Sequence, residues 1–148
     1  MARIGMETSG DLQRELLRQA GALNDATIKA ALEAGASMLE QSVKRAFVAA
    51  GHHRPGAASR TGETLAHITH TRRVKRDKNE NPYVEVTVTG ADARQQRYGV
   101  KAFVLNYGRR QGGIIKPDWY WSTAVKNNRD RVVNAMAKTI AEKLEGGD

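Results

Sequence analysis

Four histidines offer the most versatile chemistry in the chain, and they fall into two pairs: His52 beside His53, and His67 three residues before His70. Neutral imidazoles at such intervals can give two nitrogens to a divalent cation. A zinc site needs a third and usually a fourth ligand, and no carboxylate stands nearby at a matching interval. The absence of cysteine also removes thiolate ligands and disulfides. Both pairs are therefore expected at ordinary loop and strand positions, with no metal. Pro117-Asp118 can open a nuclease-type carboxylate set, yet no Asp/Glu-x-Lys follows it. The glycines of GRRQGG (108–113) lack both the Gly-Lys-Ser/Thr of a phosphate loop and a strand-to-helix Gly-x-Gly-x-x-Gly. No serine or threonine occupies a nucleophile elbow, and no pair of carboxylates forms a dyad. The reading is a protein without catalytic residues, cofactor or metal.

What remains is charge and one unusual stretch. The 148 residues carry a net charge of +8, with a pI of about 10.0, a balance that invites nucleic acid, an acidic surface or an acidic protein. Residues 104–121, VLNYGRRQGGIIKPDWYW, place Ile114, Ile115, Trp119, Tyr120 and Trp121 in and beside a glycine-rich loop, although aromatics make up only 5% of the chain. No apolar run approaches the ~20 residues that span a bilayer, and no membrane contact is expected. The setting is expected to be soluble and cytosolic.

The elements that must position these residues follow from periodicity. Leu12, Leu16 and Ala20, four apart, predict a short amphipathic helix over 9–22, within an N-terminal helical segment 1–22. From Asn24, Ile28, Leu32, Ala36, Leu39, Val43, Phe47 and Ala50 recur at three and four, the period of a one-faced helix that Gly51 ends. Residues 51–61 read as a flexible polar loop, and Thr61 as the cap of a single helical turn. ITHTRRVKR and YVEVTVT, joined by DKNENP, predict an antiparallel hairpin. KAFVLNY (101–107) reads as a strand apolar on both faces, Ala102 and Val104 on one, Phe103, Leu105 and Tyr107 on the other. Such a strand is covered on both sides, one cover coming from another subunit. After the flexible loop 108–117, a last helix runs from Asp118 as N-cap to about Leu144, with Trp121, Val125, Val132, Met136, Ile140 and Leu144 in one stripe. The order predicts one α+β domain over 1–148: an antiparallel sheet of three or more strands, packed by N-terminal helices and a long C-terminal helix.

Three pieces in this order carry a resemblance. Pro55 is followed by RTGETLAHI; a hairpin and FVLNYG come next; IKPDWYWSTAVKNNRDRVVNAMAKTIAEKL ends the chain's last third. Together they resemble the tail-component family of long-tailed bacteriophages, related to the tail-completion or head–tail joining proteins. By position, Thr61, Gly62, Leu65 and Ile68 match the family's first motif, Tyr107 and Gly108 its second, and Pro117, Trp119 and Ala124 its third. Asn106 stands where an acidic residue is common, Arg109 where threonine is, and Asp118 intrudes after Pro117.

The resemblance implies an assembly part, not an enzyme: a ring, usually of six subunits, at the virion neck, made in the host cytoplasm and joining tail to head. On that reading Phe103, Leu105, Tyr107, Gly108, Arg109, Arg110, Ile114 and Ile115 form the intersubunit interface. Burying the two isoleucines is worth roughly 3–6 kcal/mol gross, while both tryptophans are expected in the domain's own core. Arg54 and Arg60 in the loop 51–61, with Arg73, Lys75, Arg76 and Lys78 on the hairpin, are the expected axial or lumen contacts. They would meet an adjacent neck or head-completion protein, the tail terminator or tail tube, or non-specifically the DNA in the channel. The alternatives are a tail terminator or other minor tail ring protein, or a basic cytosolic nucleic-acid-binding protein. The latter's affinity would fall by orders of magnitude with salt.

Overall fold

The computed structural model describes residues 24–54 and 62–146, together with the backbone of Ile4–Gly5. The helical segment expected over 9–22, and Pro55 to Thr61 with Arg60 among them, lie outside the described residues.

The two longest periodic stretches are both helices. Helix α1 (Asp25–Ala49) starts at Asn24, whose Oδ1 accepts the Thr27 N–H at 2.8 Å, and spans about 38 Å at 1.5 Å per residue. Ala31, Leu32, Ala36, Leu39, Val43 and Phe47 are buried along it, three and four apart as the sequence pattern requires. The helix closes at Ala50, and Gly51 at φ +80° turns the chain away. A single turn, α2 (Gly62–Ala66), leads into a run of short strands and then into α3 (Tyr98–Tyr107) and α4 (Tyr120–Glu145). Helices α1 and α4 pack along one another and make the body of the molecule. Trp121, Ala124, Val132 and Met136 of α4 join the α1 stripe, with Ile68, Val84 and Val86 closing the core. Leu144, expected in that stripe, is exposed.

The expected α+β class, organised by an antiparallel sheet of three or more strands, is overturned: the described residues are mostly helical and their sheets are small. Three of the helices run 25, 10 and 26 residues, while the strands run two to four. The hairpin is present but split into two ladders. Strand β2 (Ile68–His70) pairs antiparallel with β5 (Glu85–Val88), Ile68 opposite Val88 and His70 opposite Val86. Strand β3 (Lys75–Arg76) pairs with β4 (Pro82–Tyr83) nearer the turn. On the far side of β5 the two-residue β1 (Ile4–Gly5) adds two pairs, to Val86 and Glu85.

Residues 101–107, expected as the main additional strand, enter no sheet; they are the body of α3. The alternation-based reading failed because apolar residues stand at both parities. Burial follows helical spacing instead, with Tyr98, Ala102, Leu105 and Asn106 turned inward.

Candidate interaction surface

With one face of α3 committed to the core, the other is open. Val100 is 52% exposed, Phe103 46% and Tyr107 42%, at intervals of three and four. Trp119, just before α4, is 47% exposed, and its ring stands perpendicular to Tyr107 at 5.4 Å between centroids. Phe103 also packs on Tyr107, at 4.6 Å between centroids. Ile114, on the loop between the two helices, is 81% exposed. In a chain with so few aromatics, three exposed rings in a row, Tyr107 touching both others, are the feature that asks for a function.

Two residues hold this corner together. Gly108 ends α3 at φ +80°, ψ 177°, a region essentially restricted to glycine. A Cβ there would lie 2.7 Å from the Ile115 carbonyl oxygen and 2.9 Å from Pro117. Asn106 is fully buried and caps α4 from the neighbouring helix: its Oδ1 accepts the N–H groups of Trp121 at 2.9 Å and Ser122 at 3.2 Å, and its Nδ2 donates to Ser122 Oγ at 2.9 Å. Its carbonyl accepts the Trp119 N–H at 3.1 Å. The position where the resembled family favours an acid is therefore used internally, to satisfy the start of α4.

Trp119 itself occupies the N-cap position in the left-handed region, φ 58°, ψ 22°, and offers no side-chain cap. That conformation is unusual for a bulky residue. Asp118, expected as the N-cap, stands one residue earlier and accepts the Tyr120 N–H at 3.1 Å. Its other oxygen pairs with the ring of His52. His52 in turn packs on Phe47 and Tyr120, each at 5.3 Å between centroids, and so ties the end of α1 to the start of α4. Burial, with Asp118 nearby, drives the Tyr120 phenol far above its ordinary value.

The loop from α3 to α4 is drawn closed by two backbone hydrogen bonds between Arg109 and Ile115, both 2.9 Å. The Arg109 guanidinium donates back to the carbonyls of Gly112 at 2.8 Å and Gly113 at 3.3 Å. Ile115 is consequently half-buried, while Ile114 points outward.

Two further histidines, His67 and His70, brace the fold. His70 Nδ1 meets Glu40 at 2.5 Å, and Lys44 takes the other carboxylate oxygen. Burial pushes the Glu40 carboxyl up, but the hydrogen bonds from Lys44 and His70 outweigh it and hold the carboxyl below its ordinary value. His67 stacks on Tyr98 at 4.2 Å. The Tyr98 hydroxyl donates to Glu63 at 2.5 Å, and that hydrogen bond, with burial, raises the phenol to about 12. Lys101 lies over the same ring and pairs with Asp92 at 2.6 Å. Among the described residues no three histidine or acidic side chains gather to hold a metal ion, and no helix is long and apolar enough to cross a membrane.

Of the residues expected at an intersubunit interface, the structure brings Phe103, Tyr107 and Ile114 to the surface with Arg110, while Leu105 is a core residue and Gly108 and Arg109 shape the loop. The expected axial residues Arg54, Arg73, Lys75, Arg76 and Lys78 are all exposed, and two of them have partners. Lys75 is spent on the buried Glu85 at 2.7 Å. Arg76 donates to the Glu80 carbonyl at 2.9 Å and lies 3.5 Å from Asp25. Sequence reasoning missed Val100 and Trp119. The intervals Val100–Phe103–Tyr107 were visible, but reading the segment as a strand hid them. Trp121 alone of the two tryptophans belongs to the core. No family model, curated protein or solved structure matches the chain.

Proposed function

We propose that this protein is a non-catalytic structural subunit of the neck of a long-tailed bacteriophage, where copies in a ring complete the tail and join it to the head. The observation that carries the reading is the exposed aromatic face of α3: rings already packed on one another, held by a buried cap and a glycine-only turn, with no chemistry of their own to perform. On the order of 400 Å² of apolar surface lies open there, within the ~300–600 Å² that the largest patch of a monomer spans and often functional at that size. The order of the Thr-Gly, Tyr-Gly and Pro-Asp-Trp motifs along the chain supports the same reading. So does the place of the last two, which form the corner that builds this face. Docking through α3 and the loop makes one joint of the neck, and the exposed hairpin residues Arg73 and Lys78 make axial contacts with the proteins above and below.

The test is electron microscopy of particles made by the parent phage with the gene interrupted by a stop codon. Filled heads and complete tails lying apart are the expected result. Joined virions of normal appearance would remove the neck assignment.

A further inference from the structure

We infer that the occupant of the α3 face is an acidic, apolar segment of another protein, not the same face of a second copy of this chain. The inference rests on reading that face as a docking surface, and it is argued from charge. Between Asp92 and Asp118 the chain carries Arg94, Arg97, Lys101, Arg109, Arg110 and Lys116 and not one acid. Lys101 is paired with Asp92; the other five are exposed. They stand at both ends of α3 and on the loop that follows it, so basic residues flank the aromatic centre along the chain, while Asp118, beside Trp119, is paired with His52. Arg109 uses its guanidinium on two carbonyls, which leaves its charge unneutralised.

In a two-fold pairing a second copy would set this same run of basic residues against itself, and like charges across an interface disfavour that pairing. The apolar centre is about half of the ~800 Å² that one side of a standard interface supplies. A partner that also neutralises the flanking charges makes up the difference. Nucleic acid would answer the charge but not the centre. Bases stack on open ring faces, whereas here the rings stand against one another at 44° and 90°, in the company of the aliphatic Val100 and Ile114. Apolar side chains fit between such rings. Acidic groups around them fit the arginines, which hold carboxylates in bidentate geometry. The left-handed backbone of Trp119 agrees with this: a conformation that disfavours a large side chain is retained where its ring completes the face.

The probes are two synthetic amphipathic peptides of about 15 residues with identical apolar positions, one with glutamate and one with lysine at the polar positions, and oligothymidylate of similar length. Binding to the purified full chain is read by anisotropy of labelled probe and by tryptophan emission, since Trp119 is exposed and Trp121 buried. The glutamate peptide is expected to bind at least about tenfold more tightly than the lysine peptide, with an affinity that falls about tenfold between low and high salt. Phe103→Ser with Tyr107→Ser should abolish it at unchanged circular dichroism. If that pair unfolds the protein, Trp119→Gly removes a ring while suiting the backbone, and should weaken binding without loss of stability. Equal binding of the two peptides overturns the inference. So does oligothymidylate binding more tightly through the same residues, or sedimentation that reveals self-association lost in these variants. Virions that form normally without the gene would end the neck assignment yet leave the peptide result standing, so the two failures are distinguishable.

Discussion

Two asparagines start the two long helices, and they do it in opposite ways. Asn24 caps α1 locally, accepting the N–H three residues ahead. Asn106 caps α4 from another helix, reaching N–H groups 15 and 16 residues further along the chain. A local cap stabilises a helix that can begin by itself. A cap supplied from a distance makes the start of α4 depend on α3 being docked, so α3, the loop and the first turn of α4 form one unit. The aromatic face is the outer surface of that unit. Docking strength and local stability are therefore coupled at this corner and independent at α1.

The largest effect should come from breaking the geometry that brings Asn106 into place. Gly108→Ala puts a Cβ 2.7 Å from a carbonyl oxygen in a backbone region closed to alanine, and should cost about 3 kcal/mol or more. Urea unfolding measures it, and a loss below about 1 kcal/mol would show that the corner relaxes. Next comes Asn106→Ala, which leaves the buried Trp121 N–H and Ser122 without their partner, at about 2–4 kcal/mol. Hydrogen exchange should report the loss at the first turn of α4 and in α3 together. Asn24→Ala, the local counterpart, should cost about 1 kcal/mol, with exchange rising only in the first turn of α1. Equal costs for the two asparagines would erase the distinction drawn between them.

That distinction also explains what could be read in the sequence. Helix α1 was legible because Asn24, the apolar intervals and Gly51 are all local signals, and α4 because its stripe persists for five turns. The hairpin was legible from alternation and from the Asp/Asn-rich turn. Residues 101–107 were not, since a segment of seven with apolar residues at both parities satisfies strand and helix alike, and only packing against α4 decides. The role of Asn106 was equally hidden: an asparagine before Tyr-Gly says nothing about a helix fifteen residues away. At the surface, Phe103, Tyr107 and Ile114 enter through the two-faced reading of 101–107 and the interface that the resemblance implies, not through helical spacing. A core position is the expectation for Trp119 because tryptophan is highly buried on average, and the left-handed turn that sends it outward leaves no mark in the sequence.

The smallest expected effects belong to a third and fourth instance of local capping. Asp77 Oδ1 accepts the N–H groups of Asn79 at 2.7 Å and Asn81 at 2.9 Å, and Asp92 Oδ1 those of Arg94 and Gln96, both at 2.9 Å. Glu80 and Gln95 follow at the same φ of 63°, so the two turns share one design. Both carboxyls are held below the ordinary aspartate value, Asp77 first by the Asn81 backbone hydrogen bond, Asp92 first by Lys101. The native state thus favours the ionised form, and in acid the unfolded chain binds more protons. The contribution is full above the unfolded aspartate value of about 3.9 and drains as pH falls through the lower folded values. Asp77→Asn keeps a neutral acceptor at the same place and should leave the urea midpoint at neutral pH nearly unchanged while flattening its decline in acid. Asp92→Asn also loses the charge partner of Lys101, so it should flatten the acid limb too, and lower the neutral midpoint as well. An Asp92→Asn protein indistinguishable from Asp77→Asn at neutral pH would mean that Lys101 adds nothing to the turn, and that α3 is held by its buried face alone.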